Sequence, residues 1–377
     1  MIYLDYAANT PTHPDVMEAF VKENNQFIAN PNASHRLGRE AKERLDQITA
    51  HIAEMLQISP PEIIYTSGAS EANNLAIKGL VQAYRYNGKH IISTGLEHSS
   101  VSGALTHLQS IGYEIDLVDI NKDGLVDLEH LRELLRQDTV LVSICSVDSE
   151  LGIRQPIPEI GTLLREYPNC YFHTDATQAV GKIPVSFENV DLCTFAPHKF
   201  YGLNGCGILF KRQEIVLEPI IHGGSSTTVY RSGTPTLGLI ASTEKALELC
   251  LKEQAQRYEY IAERKEELVG RLKKYQKVRV NSTINSIPHI INISVQGVKA
   301  LLFQQELEKY DVMVSTKSAC SVPNAPSRPV YAVTKDKKNA MCSWRISLSH
   351  LTTREELEQF MGAFHDSYEG LTGDNPV

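Results

Sequence analysis

The apolar positions over roughly the first 250 residues predict a buried parallel sheet. Apolar runs of strand length alternate with segments in which apolar residues recur at helical spacing. Nearly continuous apolar strands are typical of a sheet that helices cover on both faces. Strands are predicted at residues 62–66, 90–94, 114–118, 141–146, 170–174, 192–196 and 207–210, and helices at, among others, 70–84 and 128–135. The pattern therefore predicts an α/β fold with a mostly parallel central sheet.

The pattern changes after residue 238. Residues 239–274 have helical spacing and many Glu, Lys and Arg residues, which predicts a long helix linking two domains. The rest alternates strand and helix, with strands predicted at 290–294, 313–315 and 345–349 and helices at 299–310 and 353–364. We expect a large α/β domain over residues 15–250, and a smaller α+β domain formed by residues 1–14 and 251–377.

Composition and charge exclude several classes of protein. The chain of 377 residues has a formal net charge of −8, which does not suit a broad nucleic-acid footprint. The apolar runs are too short for a membrane-spanning helix, and the N-terminal residues do not resemble a secretory signal. Seven cysteines without a Cys-x-x-Cys pair argue against a disulfide framework or a zinc site. We expect a cytoplasmic protein without a metal, and without direct nucleic-acid or membrane partners.

Two segments that follow predicted strands could hold a phosphate and a flat ring. Gly68-Ala69-Ser70 leads from a strand into a helix, and free N–H groups at a helix N-terminus suit a phosphate. Ser70 could equally be an ordinary N-cap. His98 also follows a strand, where it could stack on a ring and move protons, or simply be a surface histidine.

Two further segments carry an acid and an amine. Asp175 ends a buried strand, with Gln178 three residues later, and a buried acid is costly unless it is paired. A pyridinium nitrogen would be a suitable partner, although a turn-capping role explains Asp175 as well. Lys199 follows His198 after another strand, and a lysine held at the ligand-binding edge of a sheet can act as a nucleophile.

A single cysteine, Cys320, lies among small polar residues in the stretch STKSACS. A structural cysteine normally has apolar neighbours, so this thiol is predicted to lie on a loop.

Each of these motifs alone is a modest signal, but their order along the chain is specific for one family. The chain resembles the fold-type I pyridoxal-phosphate transferases, and within them the class V, cysteine desulfurase-like family. The resemblance runs nearly end to end through 4–10, Asn30-Pro31, 68–74, Glu97-His98, 175–178, His198-Lys199, 231–234, 318–320 and 345–347.

The resemblance implies a role for each matching residue. The residues implied in binding the coenzyme pyridoxal phosphate are Lys199, Asp175, Gln178, His98, Ser70, Ala69, His198 and Thr234, the last from the other subunit of a homodimer. Lys199 would carry the coenzyme and move the substrate's α-proton, with His98 assisting catalysis. Arg345 would bind the carboxylate of L-cysteine. Cys320 would attack the substrate sulfur, which leaves alanine and a persulfide on Cys320. The sulfur would pass to an acceptor protein, either an iron–sulfur scaffold or a tRNA-thiolation enzyme.

The chain departs from the family near the substrate and the phosphate. Ala196 replaces a phosphate-binding Ser, Lys317 and Ser349 replace Gly, and Asp148 replaces an Asn beside the substrate carboxylate. An ionised Asp148 in the substrate-binding position would repel that carboxylate, unless it is protonated or turned away. Two alternatives therefore stay open. One is a pyridoxal-phosphate lyase or aminotransferase acting on another amino acid, and the other is a weakly active paralogue that acts as a binding partner.

Overall fold

The computed structural model describes residues 1–317 and 325–374, and its largest layer is a seven-stranded sheet. Its strands are β2 (Ile63–Thr66), β3 (His90–Ser93), β4 (Glu114–Leu117), β5 (Thr139–Ser143), β6 (Tyr171–Asp175), β7 (Leu192–Phe195) and β8 (Gly207–Lys211). They lie in the order β2-β8-β7-β6-β5-β3-β4. β8 runs antiparallel to both its neighbours, and the other pairs are parallel. The predicted mostly parallel α/β sheet is confirmed.

Helices cover both faces of this sheet. They are α1 (Pro14–Gln26), α2 (Arg36–Leu56), α3 (Ala69–Asn74), α4 (Leu80–Ala83), α5 (Ser99–Ser110), α6 (Leu128–Leu134) and α7 (Ile157–Leu164). α3 and α4 are joined by a π-helical stretch, Leu75–Gly79, so one helical run covers nearly the predicted 70–84. Because helices lie on both faces, β5 and β7 are buried at every position, which explains their continuous apolar sequence.

A long helix, α8 (Leu237–Leu272), joins the large sheet to a second core. Its first half packs on α1 and α2, and Cys250 belongs to the core of the large sheet. From Ile261 onward its buried residues belong to the second core. The predicted domain boundary at residue 250 thus falls within one continuous helix. It lies close to the point where this helix stops packing on the first core and begins to pack on the second.

The second core has its own antiparallel sheet. β9 (Val278–Val280), β10 (Ile290–Val295) and β12 (Ser343–Ser347) lie in the order β12-β10-β9, and β1 (Ile2–Tyr3) pairs in parallel with β11 (Val312–Met313). Its helices are α9 (Ala300–Glu308), α10 (Arg328–Thr334), α11 (Lys337–Met341) and α12 (Arg354–Thr372). Phe303 stacks on Trp344 with ring centroids 5.2 Å apart, which joins α9 to this sheet. Within residues 1–317 and 325–374, no helix is long and apolar enough to cross a membrane.

Candidate active site

A cavity of about 390 Å³ lies beyond the carboxyl ends of the parallel strands. It is lined by Ala7, Ala8, Ser67, Gly68, Ala69, Ser70, Glu71, Leu96, His98, Cys145, Val147, Asp148, Ser149, Asp175, Thr177, Gln178, His198, Lys199 and Arg345. Ser67 and its neighbours follow β2, His98 follows β3, Cys145 follows β5, Asp175 ends β6 and Lys199 follows β7. The sheet therefore gathers in one cavity the residues that the sequence places after separate strands, as expected for a parallel sheet.

Lys199 is held by a tight turn and by the N-terminal segment. A single 3₁₀ turn, Pro197–Lys199, follows β7, and Tyr201 takes a left-handed conformation with φ of 68°. Lys199 Nζ donates to the carbonyl oxygens of Ala7 at 3.1 Å and Ala8 at 2.5 Å. The two carbonyl oxygens therefore fix the direction of the amine in the lining of the cavity.

Asp175 is buried and held by neighbours on two elements. It is 6% exposed, its Oδ1 accepts from the Thr177 N–H at 2.9 Å, and its Oδ2 accepts from Asn73 Nδ2 at 2.8 Å. Each carboxylate oxygen has a second lone pair, so Asp175 can accept another hydrogen bond inside the cavity. The sequence analysis assigned no role to Asn73. Its position on the helix that begins at the proposed phosphate turn was the available signal.

Gln178 lies between the N-terminal segment and a second lysine. Its Nε2 donates to the Ala7 carbonyl at 2.8 Å, and its Oε1 accepts from Lys182 Nζ at 2.5 Å. Lys182 is buried, and burial, followed by the charge of Lys199, lowers its pKa well below the usual lysine value. Lys182 is not among the predicted site residues, and its position after Gly181 in the sequence gives no sign of this contact.

His98 is a neutral imidazole with a defined tautomer. It caps α5, where Nδ1 accepts from the Ser100 N–H at 3.2 Å and lies 2.8 Å from Ser100 Oγ. Burial lowers its pKa, so the neutral form dominates at pH 7. Since Nδ1 accepts the backbone hydrogen bond, the proton lies on Nε2.

The cavity has a polar end formed by backbone and a second neutral histidine. Gly68, Ala69 and Ser70 begin the helical run after β2, and an added Cβ at Gly68 would meet no atom within 4 Å. Burial, followed by the charges of Lys199 and Lys182, lowers the pKa of His198 to about 4. At neutral pH His198 can therefore donate only one N–H.

Ala196 and Thr234, at the two other positions that the resemblance links to the phosphate, do not line the cavity in the described part of the chain. Ala196 is completely buried after β7 and offers no hydroxyl group. Thr234 does not line the cavity of its own chain in the described residues; its Oγ1 instead accepts from Asn30 Nδ2 at 3.4 Å. The expected role of Thr234 in the cavity of a second subunit therefore stays a prediction.

Arg345 is the cation at the opposite end. It is 1% exposed, its Nη1 donates to the Ser149 carbonyl at 2.6 Å, and its Nη2 donates to Asp5 Oδ1 at 2.7 Å. Its Nε has no partner among residues 1–317 and 325–374. A guanidinium group has five N–H donors, so Arg345 retains the capacity to bind an anionic group.

Asp148 lines the cavity, but its carboxylate is engaged in a turn. Oδ1 accepts from the N–H groups of Glu150 at 2.9 Å and Leu151 at 2.7 Å, and Oδ2 accepts from Ile153 at 2.8 Å. Burial raises its pKa to about 6 despite these hydrogen bonds. Of the possibilities that the sequence left open, this geometry favours a carboxylate turned away from the substrate.

Cys320 lies outside the described residues, but residues on either side of it are described. Ser315 pairs with Arg345 through two backbone hydrogen bonds, of 3.3 and 2.7 Å. Lys317, the lysine that replaces the usual glycine, donates from Nζ to the Ala325 carbonyl at 2.5 Å. A further thiol, Cys145, lines the cavity, and burial raises its pKa well above the usual value. Cys145 is 3% exposed and also belongs to the core of the large sheet.

Comparison with known proteins decides the family. Residues 2–360 match the model of the family described as Aminotransferase class-V. The chain belongs to this family.

Similar proteins have consistent names. The chain is 36% identical over 380 residues to a protein named cysteine desulfurase IscS from Dictyoglomus turgidum, which covers all of this chain and 96% of that protein. It is 38% identical over 369 residues to a mitochondrial cysteine desulfurase of Arabidopsis thaliana, with 95% and 80% of the two chains covered. A solved NifS-like protein superposes with a TM-score of 0.91 at 29% identity, over 99% of this chain and all of that one. The predicted resemblance and the fold-type I architecture are confirmed.

The class-V aminotransferase family depends in general on pyridoxal phosphate. The residues around the cavity fit this group: a primary amine at Lys199, a buried carboxylate at Asp175, an amide donor at Gln178 and an open helix start at Gly68. The amine can react with the aldehyde of the coenzyme. The other three groups match its ring nitrogen, phenolate oxygen and phosphate in their hydrogen-bonding chemistry.

Proposed function

We propose that this protein is a pyridoxal-phosphate-dependent cysteine desulfurase, which converts L-cysteine to L-alanine and passes the sulfur to an acceptor. The observation that carries the proposal is a single cavity containing the Lys199 amine, the buried Asp175 carboxylate and the buried Arg345 guanidinium. The names of the relatives that the chain matches over nearly its full length support this choice of substrate.

The coenzyme would be held by residues from several strand ends. Lys199 would bind its aldehyde carbon, Asp175 its ring nitrogen, Gln178 its phenolate oxygen, and the Ala69-Ser70 turn its phosphate, while His98 would stack on the ring. His198 would add one N–H to the phosphate. When bound, pyridoxal phosphate withdraws electrons from the α-carbon of an amino-acid substrate and so weakens the bonds at that atom. With Ala196 in place of serine, the backbone and His198 carry more of the phosphate binding.

Arg345 would bind the carboxylate of L-cysteine. Its Nη atoms are already held by Ser149 and Asp5, so the guanidinium is fixed before the substrate arrives. The Nε donor and the second hydrogens of the Nη atoms remain available for a carboxylate. The turned-away carboxylate of Asp148 removes the repulsion that its sequence position suggested.

Two side chains are suited to moving protons. Lys199 Nζ, oriented by Ala7 and Ala8, would take the α-proton of the substrate and return it. His98 holds a proton on Nε2, and Ser100 Oγ can either donate to Nδ1 or accept from it. His98 could therefore exchange a proton at Nε2 while Nδ1 keeps a hydrogen bond to Ser100 Oγ, although a protonated Nδ1 could not accept from the Ser100 N–H.

Cys320 would be the sulfur acceptor within the chain. Its thiolate would attack the substrate sulfur, forming the new S–S bond while the substrate C–S bond breaks. The electron pair of the broken bond would pass to the substrate carbon, which takes up protons and leaves as alanine. Cys320 is five residues after Ser315, whose backbone pairs with that of Arg345. Because five residues of fully extended chain span about 17 Å, the sequence keeps Cys320 within about 17 Å of Ser315.

The wider setting follows from this chemistry. The acceptor would be an iron–sulfur scaffold or a tRNA-thiolation enzyme, and the protein would act as a homodimer to which each subunit contributes Thr234. A cytoplasmic location would suit a reactive thiol, and the six cysteines of the described residues are free thiols. Cell fractionation tests the location.

The defining experiment is to load the purified protein with pyridoxal phosphate and add L-cysteine. We expect alanine and protein-bound persulfide to form in equal amounts in a single turnover. Lys199→Ala should release no alanine, whereas Cys320→Ala should lose the persulfide. Cys342→Ala, which removes a partly exposed thiol elsewhere, is the matched control and should behave as the wild type.

The same experiment separates the alternatives. If L-cysteine leaves the coenzyme absorbance unchanged while another amino acid shifts it, a related lyase or aminotransferase is indicated. If the protein takes up no coenzyme at all, the weakly active paralogue is indicated and both enzymatic proposals are wrong.

A further inference from the structure

We propose that Lys182 is a positioning residue, which fixes the orientation of the Gln178 amide so that its NH₂ group faces the coenzyme. This inference rests on the proposed binding of pyridoxal phosphate and assigns a role to a buried lysine outside the cavity lining. The first observation is the contact itself: Lys182 Nζ lies 2.5 Å from Gln178 Oε1.

The neighbours of Gln178 demand one orientation of its amide. Lys182 has N–H donors in both its charged and its neutral form, and as an ammonium group it can only donate, so Oε1 rather than Nε2 is the atom of Gln178 that suits it. On the other side, the Ala7 carbonyl can only accept, and it lies 2.8 Å from Nε2. An NH₂ group has two N–H donors and the contact with Ala7 uses one. The second can therefore be donated to an anionic oxygen in the cavity that Gln178 lines.

The same contacts connect Lys182 to the coenzyme lysine. The Ala7 carbonyl accepts from Gln178 Nε2 and, at 3.1 Å, from Lys199 Nζ. A continuous hydrogen-bonded path thus runs from Lys182 through Gln178 and Ala7 to Lys199. Since all four groups are at least partly buried, loss of one contact is not readily replaced by water.

Other charged and titratable groups also face Lys182. Lys199 and Arg345 are close enough to disfavour its charged form, and Lys182 in turn disfavours protonation of the buried His289. A cationic Lys182 is therefore costly in the empty cavity. The anionic phenolate oxygen of the coenzyme, held by Gln178, would favour the cation, which would strengthen the hydrogen bond to Oε1.

The test measures the absorbance of the coenzyme-loaded protein against pH, without substrate. Donation from Gln178 to the phenolate stabilises the deprotonated form of the coenzyme–lysine unit. Lys182→Met should therefore raise the pH midpoint of the absorbance change by about one unit and weaken pyridoxal-phosphate binding about tenfold. Lys182→Arg retains an N–H donor and should return the midpoint toward the wild-type value. Lys182→Gln is a polar second variant should the methionine variant fold poorly.

The matched control is Lys265→Met. Lys265 is also a partly buried lysine whose pKa burial lowers, to about 8, and it donates to the carbonyls of Ser286 and Ile287 instead of Gln178. The Lys265→Met variant should be less stable than the wild type but should have the same absorbance midpoint. This control separates positioning from the general cost of deleting a buried lysine.

A double-mutant comparison decides whether Lys182 acts through Gln178. If it does, Lys182→Met should shift the midpoint in the wild type and cause no further shift in Gln178→Met. A Lys182→Met variant with the wild-type midpoint, or equal shifts in both backgrounds, would overturn the proposal. Wild-type protein that takes up no pyridoxal phosphate would instead contradict the proposed function. Coenzyme uptake without alanine formation would contradict only the proposed substrate.

Discussion

Burial sets the charge state of several side chains that line the cavity or contact its lining. It raises the pKa of Glu97 to about 8 and of Asp148 to about 6, and it lowers the pKa of His98 and brings that of His198 to about 4. At neutral pH the two histidines are therefore neutral donors rather than fixed cations. The consequence is a cavity in which hydrogen bonds from neutral histidines can match the charges of the proposed coenzyme.

Glu97 offers a direct test of this burial effect. Its Oε1 accepts from Thr94 Oγ1 and from the Cys145 N–H, both at 2.8 Å, whereas Oε2 is buried without a partner in the described part of the chain. Burial is the largest cause of its raised pKa, and the nearby Asp175 adds to it. The folded state should therefore bind one proton more than the unfolded chain between about pH 4.3 and about pH 8.

We expect Glu97→Gln to flatten the pH dependence of stability. The stabilisation from a raised pKa is complete below the unfolded value and is lost as the pH rises to the folded value. Wild-type protein should thus lose a few kcal/mol relative to the variant between about pH 5 and about pH 8. Urea unfolding at both pH values measures this. The control is Glu248→Gln, an exposed acid whose pKa is lowered by its hydrogen bond to Lys245. Parallel curves for wild type and Glu97→Gln would refute the expectation.

Arg345 provides a second test at the scale of a single residue. Arg345→Lys keeps the positive charge but cannot reach both Ser149 and Asp5 while also binding a carboxylate, because an ammonium lacks the planar fork. We expect kcat/KM for L-cysteine to fall about 10- to 100-fold, mainly through KM. Arg279→Lys, a half-exposed arginine on β9, is the control. An unchanged KM would show that Arg345 does not bind the substrate carboxylate.

Strands of the large sheet such as β5 and β7 could be predicted because they are mostly apolar and are buried at every position. β1 and β9 were not predicted, since strands of two and three residues have too few positions to show a pattern, and their partners come from distant segments. The strand predicted at 141–146 is shifted to Thr139–Ser143, because the apolar residues after Ser143 leave the sheet to line the cavity. Apolar character marked burial correctly there, but it did not distinguish a strand from a cavity wall.

The position of a residue relative to the strands explains which site residues could be predicted. Lys199, Asp175 and His98 each follow a strand, and the geometry of parallel sheets brings such residues together. Asn73 contacts Asp175 from a helix across the fold, and Lys182 contacts Gln178 from the turn that follows it. A single sequence offers no signal for either contact. Lys317 remained unexplained by sequence because its partner, the Ala325 carbonyl, is a backbone atom.

The turn that presents Lys199 can be tested at the level of the element. A Cβ added at Gly202 would lie 2.4 Å from the Pro197 Cβ and 2.9 Å from its carbonyl oxygen, so Gly202→Ala should force the turn open. We expect coenzyme binding, measured by absorbance, to weaken at least about tenfold, because Lys199 would leave its position beside Ala7. Gly270→Ala, at an exposed site on α8 with no atom near the new methyl, should instead stabilise the protein by about 0.5–1 kcal/mol. Normal coenzyme binding in Gly202→Ala would contradict this account.

At the scale of the whole molecule, the N-terminal segment joins the two cores at the active site. β1 pairs with β11 in the second core, the Ala7 and Ala8 carbonyls hold Lys199, and Thr10 donates through its N–H and its Oγ1 to the His198 carbonyl, both at 3.0 Å. α8 joins the same cores on the other side. Both links fix the position of Arg345, on β12, relative to Lys199, after β7. The proposed substrate and coenzyme sites therefore depend on the packing of one core against the other.

The expected homodimer can be tested by whether Thr234 acts in the other subunit. In its own chain Thr234 contacts Asn30 and does not line the cavity within the described residues. Thr234→Asp should weaken coenzyme binding, because a carboxylate would repel the phosphate. If Thr234 serves the partner's cavity, a mixed dimer of Thr234→Asp and Lys199→Ala chains contains one site in which both residues are intact. That dimer, made by co-expression with two tags, should recover about half the coenzyme content and alanine formation of the wild type, matching a mixed dimer of wild type and Lys199→Ala. If Thr234 serves its own cavity, each chain carries a defective site and the mixed dimer stays as inactive as its parents, which would refute a shared active site.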